Sequence, residues 1–96
     1  MALREAYDVD SVRNRSAEAV YDRIERLLDE DRGLCGCESC VIDLVAFVLN
    51  RVKPRYTTSV LGDLHPDAAQ ERKLRIEIDL AVEAGLKRLR EHPHHE

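Results

Sequence analysis

The middle of the chain reads Val41-Ile42-Asp43-Leu44-Val45-Ala46-Phe47-Val48-Leu49, nine residues that carry a single charge. A segment that is apolar on nearly every side is typical of a central helix covered by its neighbours. Its β-branched residues would also suit a strand, but its length favours a helix from about Glu38 to Val52. Pro54 ends this helix, and residues 55–60 are predicted to form a short extended segment.

Amphipathic patterns lie on both sides of this central helix. Ser11 or Asn14 can cap a first helix that runs to about Arg32. A last helix is predicted from about Ala68 to His92, after a loop rich in Gly, Pro and Asp. The stripe expected to face the core of the first helix consists of Ala17, Val20, Tyr21, Ile24, Leu27 and Leu28. The fold class is therefore all-α, a small bundle of three to four helices with one short extended segment.

The length and the net charge of the chain limit the classes of function that the sequence allows. The 96 residues allow one domain over residues 1–96, with loose ends expected at 1–10 and 92–96. The net charge is −4, whereas a nucleic-acid binder is normally basic, so a nucleic-acid partner is disfavoured. The sequence contains neither a membrane-length apolar run nor a signal-peptide pattern, so we expect a cytoplasmic protein without a membrane partner.

The last helix carries more apolar surface than a three-helix monomer needs. Its extra edge includes Ile76, Leu80 and Leu89. A homodimer formed through this helix and through the exposed edge of residues 56–60 would cover that surface.

Three cysteines fall within six residues, at Cys35, Cys37 and Cys40. Thiolates crowded onto one turn suit tetrahedral zinc, which we predict as the cofactor. A structural zinc site needs four ligands, and the fourth could come from His65, a cysteine or acid of a partner chain, or water. A redox dithiol, an iron–sulfur cluster and plain buried thiols are the alternatives.

A basic segment follows the central helix. From residue 44 to residue 62 the only charged side chains are Arg51, Lys53 and Arg55, followed by Tyr56 as a stacking surface. Arginine can bind a phosphate through paired hydrogen bonds or stack on a base. We therefore predict these four residues as ligand-binding. The alternative is a solvated turn with ordinary surface charges.

The cysteine cluster and the basic segment together resemble the late-competence ComFB family. The features that carry the resemblance are the Cys-x-Cys-x-x-Cys turn, Asp43, the Ala-containing apolar helix, Leu49-Asn50-Arg51, Pro54-Arg55-Tyr56 and Gly62. The resemblance covers about residues 14–90, and its specific part is 35–62. Val52 and Lys53 stand where Leu and Pro are frequent.

The resemblance implies a small helical homodimer with bound zinc. It also implies a receptor for cyclic dinucleotides, chiefly cyclic di-GMP, in bacterial signalling tied to competence, motility or surface behaviour. In that role Arg51, Lys53 and Arg55 would bind phosphate or guanine, and Tyr56 would stack on a base. The signal would pass to a downstream protein that the sequence does not identify.

Two other function classes remain open from the sequence. The chain shows no nucleophile–base pair and no Gly-rich phosphate loop, so we do not expect an enzyme. A zinc-dependent hydrolase with an open coordination position is one alternative. A protein-interaction adaptor with structural zinc and no small ligand is the other. Calorimetry with cyclic dinucleotides and single nucleotides would separate these possibilities.

Overall fold

The computed structural model describes residues 2–30, 35–58 and 68–91. The elements in chain order are α1 (Leu3–Ala6), a 3-10 turn (Val9–Ser11), β1 (Arg13–Asn14), α2 (Arg15–Glu30), α3 (Glu38–Leu49), β2 (Tyr56–Thr57) and α4 (Ala68–Glu91). Three long helices carry the fold, so the predicted all-α class is confirmed.

The first long helix begins after Asn14 rather than after Ser11. The Asn14 side-chain oxygen accepts a hydrogen bond from the backbone N–H of Ser16 at 3.1 Å, as an N-cap side chain does. Ser11 instead lies in the 3-10 turn, where its hydroxyl donates to the Asp8 carbonyl at 2.8 Å. The predicted end at Arg32 lies outside the described residues.

The predicted apolar stripe of α2 is only partly covered. Val20, Ile24 and Leu27 are buried in the core, as expected for positions three or four residues apart. Tyr21 remains 51% exposed, and Leu28 also reaches the surface. The buried stripe is therefore one residue wide on this helix.

The central helix α3 is shorter than predicted. It ends at Leu49, and a turn follows in which the N–H groups of Arg51 and Val52 both donate to the Val48 carbonyl. Leu44 and Val48 are fully buried, whereas Ile42 is 57% exposed. The expectation of a helix covered on every side was wrong, because α2 and α4, the main neighbours of α3, leave this side open within one chain.

A close helix crossing joins α3 to α4. At Gly85 an added Cβ would lie 2.6 Å from the Leu44 Cδ1 atom and 3.0 Å from the Phe47 Cδ1 atom. The absence of a side chain at Gly85 therefore allows the two helices to approach closely. The core that results comprises Val20, Ile24, Leu27, Leu44, Val48, Val52, Ile78, Ala81, Val82 and Leu86.

The predicted extended segment forms β2, which pairs antiparallel with β1. The register places Arg13 opposite Thr57 and Asn14 opposite Tyr56. This two-stranded ribbon ties the start of α2 to the segment after α3. The sequence predicted the extended conformation but not the pairing.

The surplus apolar edge of α4 is partly present at the surface. Ile76 is 60% exposed and Leu80 is 67% exposed, whereas Leu89 is half-buried and packs against the core. A homodimer through this edge stays a prediction. Among the residues that the structure describes, no helix combines the length and the apolar character needed to span a membrane.

Candidate functional site

The cysteine turn is formed by the start of α3. Cys37 is the N-cap residue of this helix, with extended backbone angles (φ −69°, ψ 151°). Its Sγ atom accepts a hydrogen bond from the backbone N–H of Cys40 at 3.4 Å. A sulfur atom thus takes the place that a hydroxyl or carboxylate oxygen usually has at a helix N-cap.

The three sulfur atoms lie within 4.8 Å of one another. Two thiolates that share a tetrahedral zinc ion are roughly 3.8 Å apart, from zinc–sulfur bonds of ~2.3 Å. Cys40 is buried and anchors the cluster to the core, whereas Cys35 and Cys37 are exposed. The arrangement therefore fits a metal site with three protein ligands in the described part of the chain. His65, predicted as one possible fourth ligand, lies outside the described residues.

The pKa values of Cys37 and Cys40 are shifted in opposite directions. The hydrogen bond from the Cys40 backbone N–H, with further bonds from the Cys40 and Cys35 thiols, lowers the pKa of Cys37 below its ordinary value. The bond of its thiol to the Cys37 sulfur raises the pKa of Cys40 to about 12, and burial adds to this effect. Cys37 therefore loses its proton more readily than Cys40, and a metal ion has to displace the proton of Cys40.

The basic segment is held by two side chains at the start of α2. The Asn14 side-chain oxygen, which caps α2, also accepts a hydrogen bond from the Arg55 backbone N–H at 2.9 Å. The buried Ser16 hydroxyl donates to the Lys53 carbonyl at 2.7 Å. The Arg15 N–H donates to the Arg55 carbonyl at 2.8 Å. We call Asn14 and Ser16 the staple, because they fix the backbone of residues 53–55.

The four residues predicted to bind ligand do not share one surface. The Arg51 guanidinium stacks over the Phe47 ring, 4.4 Å from its centroid. Lys53 is exposed, and Tyr56 is 69% exposed. Since neighbouring residues of a strand point to opposite faces, Tyr56 and Arg55 face opposite sides of the ribbon.

Arg51 and Arg55 line two different cavities. The cavity of about 240 Å³ at Arg51 is shared with Glu77, Leu80 and Ala81. The cavity of about 160 Å³ at Arg55 is lined by Arg15, Ala19, Arg55, Gln70, Glu71 and Leu74. Sequence reasoning missed Arg15, Gln70 and Glu71, because they come from two helices that are distant in the chain and form no motif.

Comparison with known families agrees with this arrangement. The family model described as Late competence development protein ComFB matches residues 13–93. The chain belongs to the ComFB family. The matched region contains the cysteine turn, the basic segment and the staple, so the features described above belong to the part of the chain that the family shares.

Membership of the ComFB family supports a competence-related role for the protein. The cysteine cluster is compatible with a bound metal ion, such as zinc. A search of curated proteins found no match, and a search of solved structures found none either.

Proposed function

We propose that the protein is a non-enzymatic receptor for a cyclic dinucleotide, cyclic di-GMP in the first place. It acts as a cytoplasmic homodimer with a structural zinc ion bound by Cys35, Cys37 and Cys40. Ligand binding changes its interaction with a downstream protein. The ComFB membership supports the competence-related signalling role, and the ligand class follows from the resemblance of residues 35–62.

The observation that carries the proposal is the state of Arg55. Its Nε atom is buried and has no hydrogen-bond partner among the described residues. Leaving a buried charged donor without an acceptor is costly, so such a group is usually completed by a ligand or a partner. The staple fixes the backbone at this residue, which lowers the entropy lost when the side chain binds.

The zinc ion is proposed as structural. Sets of thiolate ligands are typical of closed structural zinc sites, whereas catalytic sites keep an open position for water. The cluster lies at the start of α3, whose residues Leu44 and Val48 belong to the core. A metal ion there would fix the position at which the central helix begins. Reduced thiols of this kind are stable in the cytoplasm.

The homodimer is proposed from the exposed apolar edge of α4. Ile76 and Leu80 lie four residues apart on one side of the helix and are both more than half exposed. A two-fold symmetric ligand such as cyclic di-GMP would meet matching contacts on a two-fold symmetric dimer. Sedimentation should show a dimer at micromolar concentration, and Leu80→Lys should dissociate it. A wild-type chain that sediments as a monomer would contradict this part of the proposal.

Titration calorimetry tests the ligand. We expect wild-type protein to bind cyclic di-GMP with micromolar or tighter affinity. Arg55→Ala should weaken binding by about 2–3 kcal/mol, a ~30- to 150-fold loss, because a charge-assisted contact is removed. Arg55→Lys should recover only part of the affinity, since an ammonium group cannot reproduce the planar fork. Arg88→Ala, an exposed arginine on α4, is the matched control for charge and should bind like wild type.

The same titrations separate the other two function classes. Absence of binding to any cyclic dinucleotide would support an adaptor that docks an acidic partner and would overturn the receptor proposal. Chromatography of cyclic di-GMP after prolonged incubation with zinc-loaded protein tests the hydrolase. A linear product that forms with wild type but not with Cys37→Ser would overturn the non-enzymatic assignment.

A further inference from the structure

The cavity at Arg55 combines two arginine residues, Arg15 and Arg55, with the carboxylate of Glu71. Its walls come from the start of α2, the strand β2 and the first turns of α4. Its volume of about 160 Å³ is well below the ~300–1,000 Å³ of sites that enclose a whole drug-sized ligand. A single base fits this size better than an entire dinucleotide.

Two arginine residues, Arg15 and Arg55, line this cavity. Continuing the register of β1 and β2 by one residue places Arg15 opposite Arg55, and the backbone bond of 2.8 Å between them agrees. Both residues line the same cavity, and like charges that are close together repel each other. Neither guanidinium belongs to an ion pair among the described residues, whose pairs are Arg13–Glu18 and Arg23–Asp79.

A carboxylate lies in the same wall. Glu71 is an exposed acidic residue in the first turn of α4. It forms no ion pair with a described residue. A cavity for a simple anion would not include this group, because its negative charge would repel the ligand. The cavity instead suits a ligand that offers acceptors on one edge and donors on another.

Guanine has this pattern. Its O6 and N7 atoms accept hydrogen bonds, and the pairing of arginine with these two atoms is the commonest specific contact to a base. Its N1–H and N2 amino groups donate, and a carboxylate can accept from both. Adenine reverses the pattern, with an amino group at position 6 and an acceptor at N1.

We propose that this cavity is a guanine pocket, one in each protomer. Arg15 and Arg55 donate to O6 and N7, and Glu71 accepts from N1–H and the N2 amino group. Ala19 and Leu74 contact the faces of the ring. The assignment rests on the proposed function, and it specifies how one half of cyclic di-GMP is bound and why cyclic di-AMP is rejected.

Removal of the Glu71 charge should change the ligand affinity in opposite directions for a guanine pocket and for a phosphate pocket. In a guanine pocket Glu71→Gln should weaken cyclic di-GMP binding by at least about tenfold, because two donors lose their charged acceptor. In a pocket that binds the phosphate instead, the same substitution should tighten binding, because a repelling charge is removed. Glu83→Gln removes one negative charge from an exposed position of the same helix and is the matched control.

A ligand without the N2 amino group sharpens the test. Cyclic di-IMP retains O6, N7 and N1–H, so wild type should bind it several-fold more weakly than cyclic di-GMP. Glu71→Ala should bind the two ligands almost equally, because the residue that distinguishes them is missing. Arg15→Gln should weaken both ligands alike, with Arg88→Gln as its control.

Guanosine 5′-monophosphate separates this inference from the receptor proposal. If the amide resonances of Ala19 and Leu74 shift with this nucleotide but not with adenosine 5′-monophosphate, the guanine pocket is supported. This holds even if cyclic di-GMP binds no more tightly than guanosine 5′-monophosphate. The guanine pocket would be overturned if wild type binds cyclic di-GMP tightly and Glu71→Gln and Arg15→Gln leave this affinity unchanged. It would also be overturned if Glu71→Gln strengthens the binding. In both cases the receptor proposal would stand. Absence of binding by both guanine nucleotides would overturn both.

Discussion

The cysteine turn and the basic segment are both short, but they are built in different ways. The cysteine turn, residues 35–40, is formed within six residues, and the hydrogen bond from the Cys40 N–H to the Cys37 sulfur spans three of them. The basic segment depends on bonds to Asn14 and Ser16, which are 41 and 37 residues away from their partners. A site that is local in the chain can be recognised as a motif, whereas a site held by distant residues cannot.

The two regions also differ in what they lack. The cysteine turn offers three sulfur atoms that could hold a cation. The basic segment offers guanidinium donors that need an acceptor, with Arg55 Nε already withdrawn from water. We therefore expect the metal and the organic ligand to bind independently, and the predictions below test this separation.

The largest effect is expected from substitution of the cysteines. Wild type should contain one zinc ion per chain, and both Cys35→Ser and Cys40→Ser should contain almost none. Because a structural zinc ion contributes folding energy, both variants should melt at a lower temperature than zinc-loaded wild type. Metal analysis and thermal unfolding check this result.

Melting temperatures measured in the presence of a chelator separate the effect of the lost metal ion from the effect of changed packing in these variants. Metal-free wild type should have the same melting temperature as Cys35→Ser, because the Cys35 side chain is exposed. It should have a higher melting temperature than Cys40→Ser, because the Cys40 side chain is buried. A metal-free wild type as stable as the zinc-loaded protein would show that the cluster does not hold a structural metal.

Asn14→Ala should separate the two regions most clearly. The substitution removes the α2 cap and leaves the Arg55 N–H without an acceptor, so the free energy of unfolding should fall by about 2 kcal/mol. Cyclic di-GMP affinity should fall as well, while the zinc content stays at one per chain. Chemical denaturation, calorimetry and metal analysis measure the three quantities.

Asn14→Asp is the control for this staple residue. Its carboxylate retains oxygen acceptors in the same place, so stability and affinity should remain close to wild type. Loss of zinc in Asn14→Ala would contradict the independence of the two regions.

Gly85→Ala should affect both regions together. The added methyl group would overlap the fully buried Leu44 side chain at 2.6 Å, and overpacking of this kind costs about 1–3 kcal/mol. The higher helix propensity of alanine returns up to ~1 kcal/mol, so we expect a net loss of about 1–2 kcal/mol. Denaturation measures this loss, with Glu83→Ala on the exposed side as control. A more stable Gly85→Ala protein would mean that the helices separate without cost.

Ser16→Ala should have the smallest effect. It removes one buried hydrogen bond to the Lys53 carbonyl, which is worth about 1 kcal/mol. Ser11→Ala, which removes an exposed bond of similar length, should cost less. If the two variants unfold at the same denaturant concentration, the staple depends on Asn14 alone.

The helices could be predicted because their apolar residues recur with helical spacing over 12 or more residues. The cysteine cluster could be predicted because its three sulfur atoms belong to one turn. The end of α3 was placed three residues too late, because Val52 lies four residues after Val48 and continues the apolar pattern, although residues 50–52 form a turn. Val52 is buried at 4% exposure without being helical, so an apolar residue at helical spacing gave a misleading boundary.

The partner of the extended segment could not be predicted from the sequence. Arg13 and Asn14 form a strand of two residues, too short to give a periodic signal. The cavity at Arg55 depends on that pairing and on the position of α4, so Arg15 and Glu71 carry no sequence signal of their own. Tertiary contacts, rather than local preference, bring these side chains together.

The bond between Asn14 and Arg55 also sets an order during synthesis. A ribosome adds Asn14 first, and Arg55 follows 41 positions later, after all of α2 and α3. The three cysteines emerge within six consecutive residues and need no later part of the chain to be close together. We therefore expect the nascent protein to be able to bind a metal ion while the ribbon that presents Arg55 is still missing. In a newly made copy, metal loading is then expected to come before ligand binding.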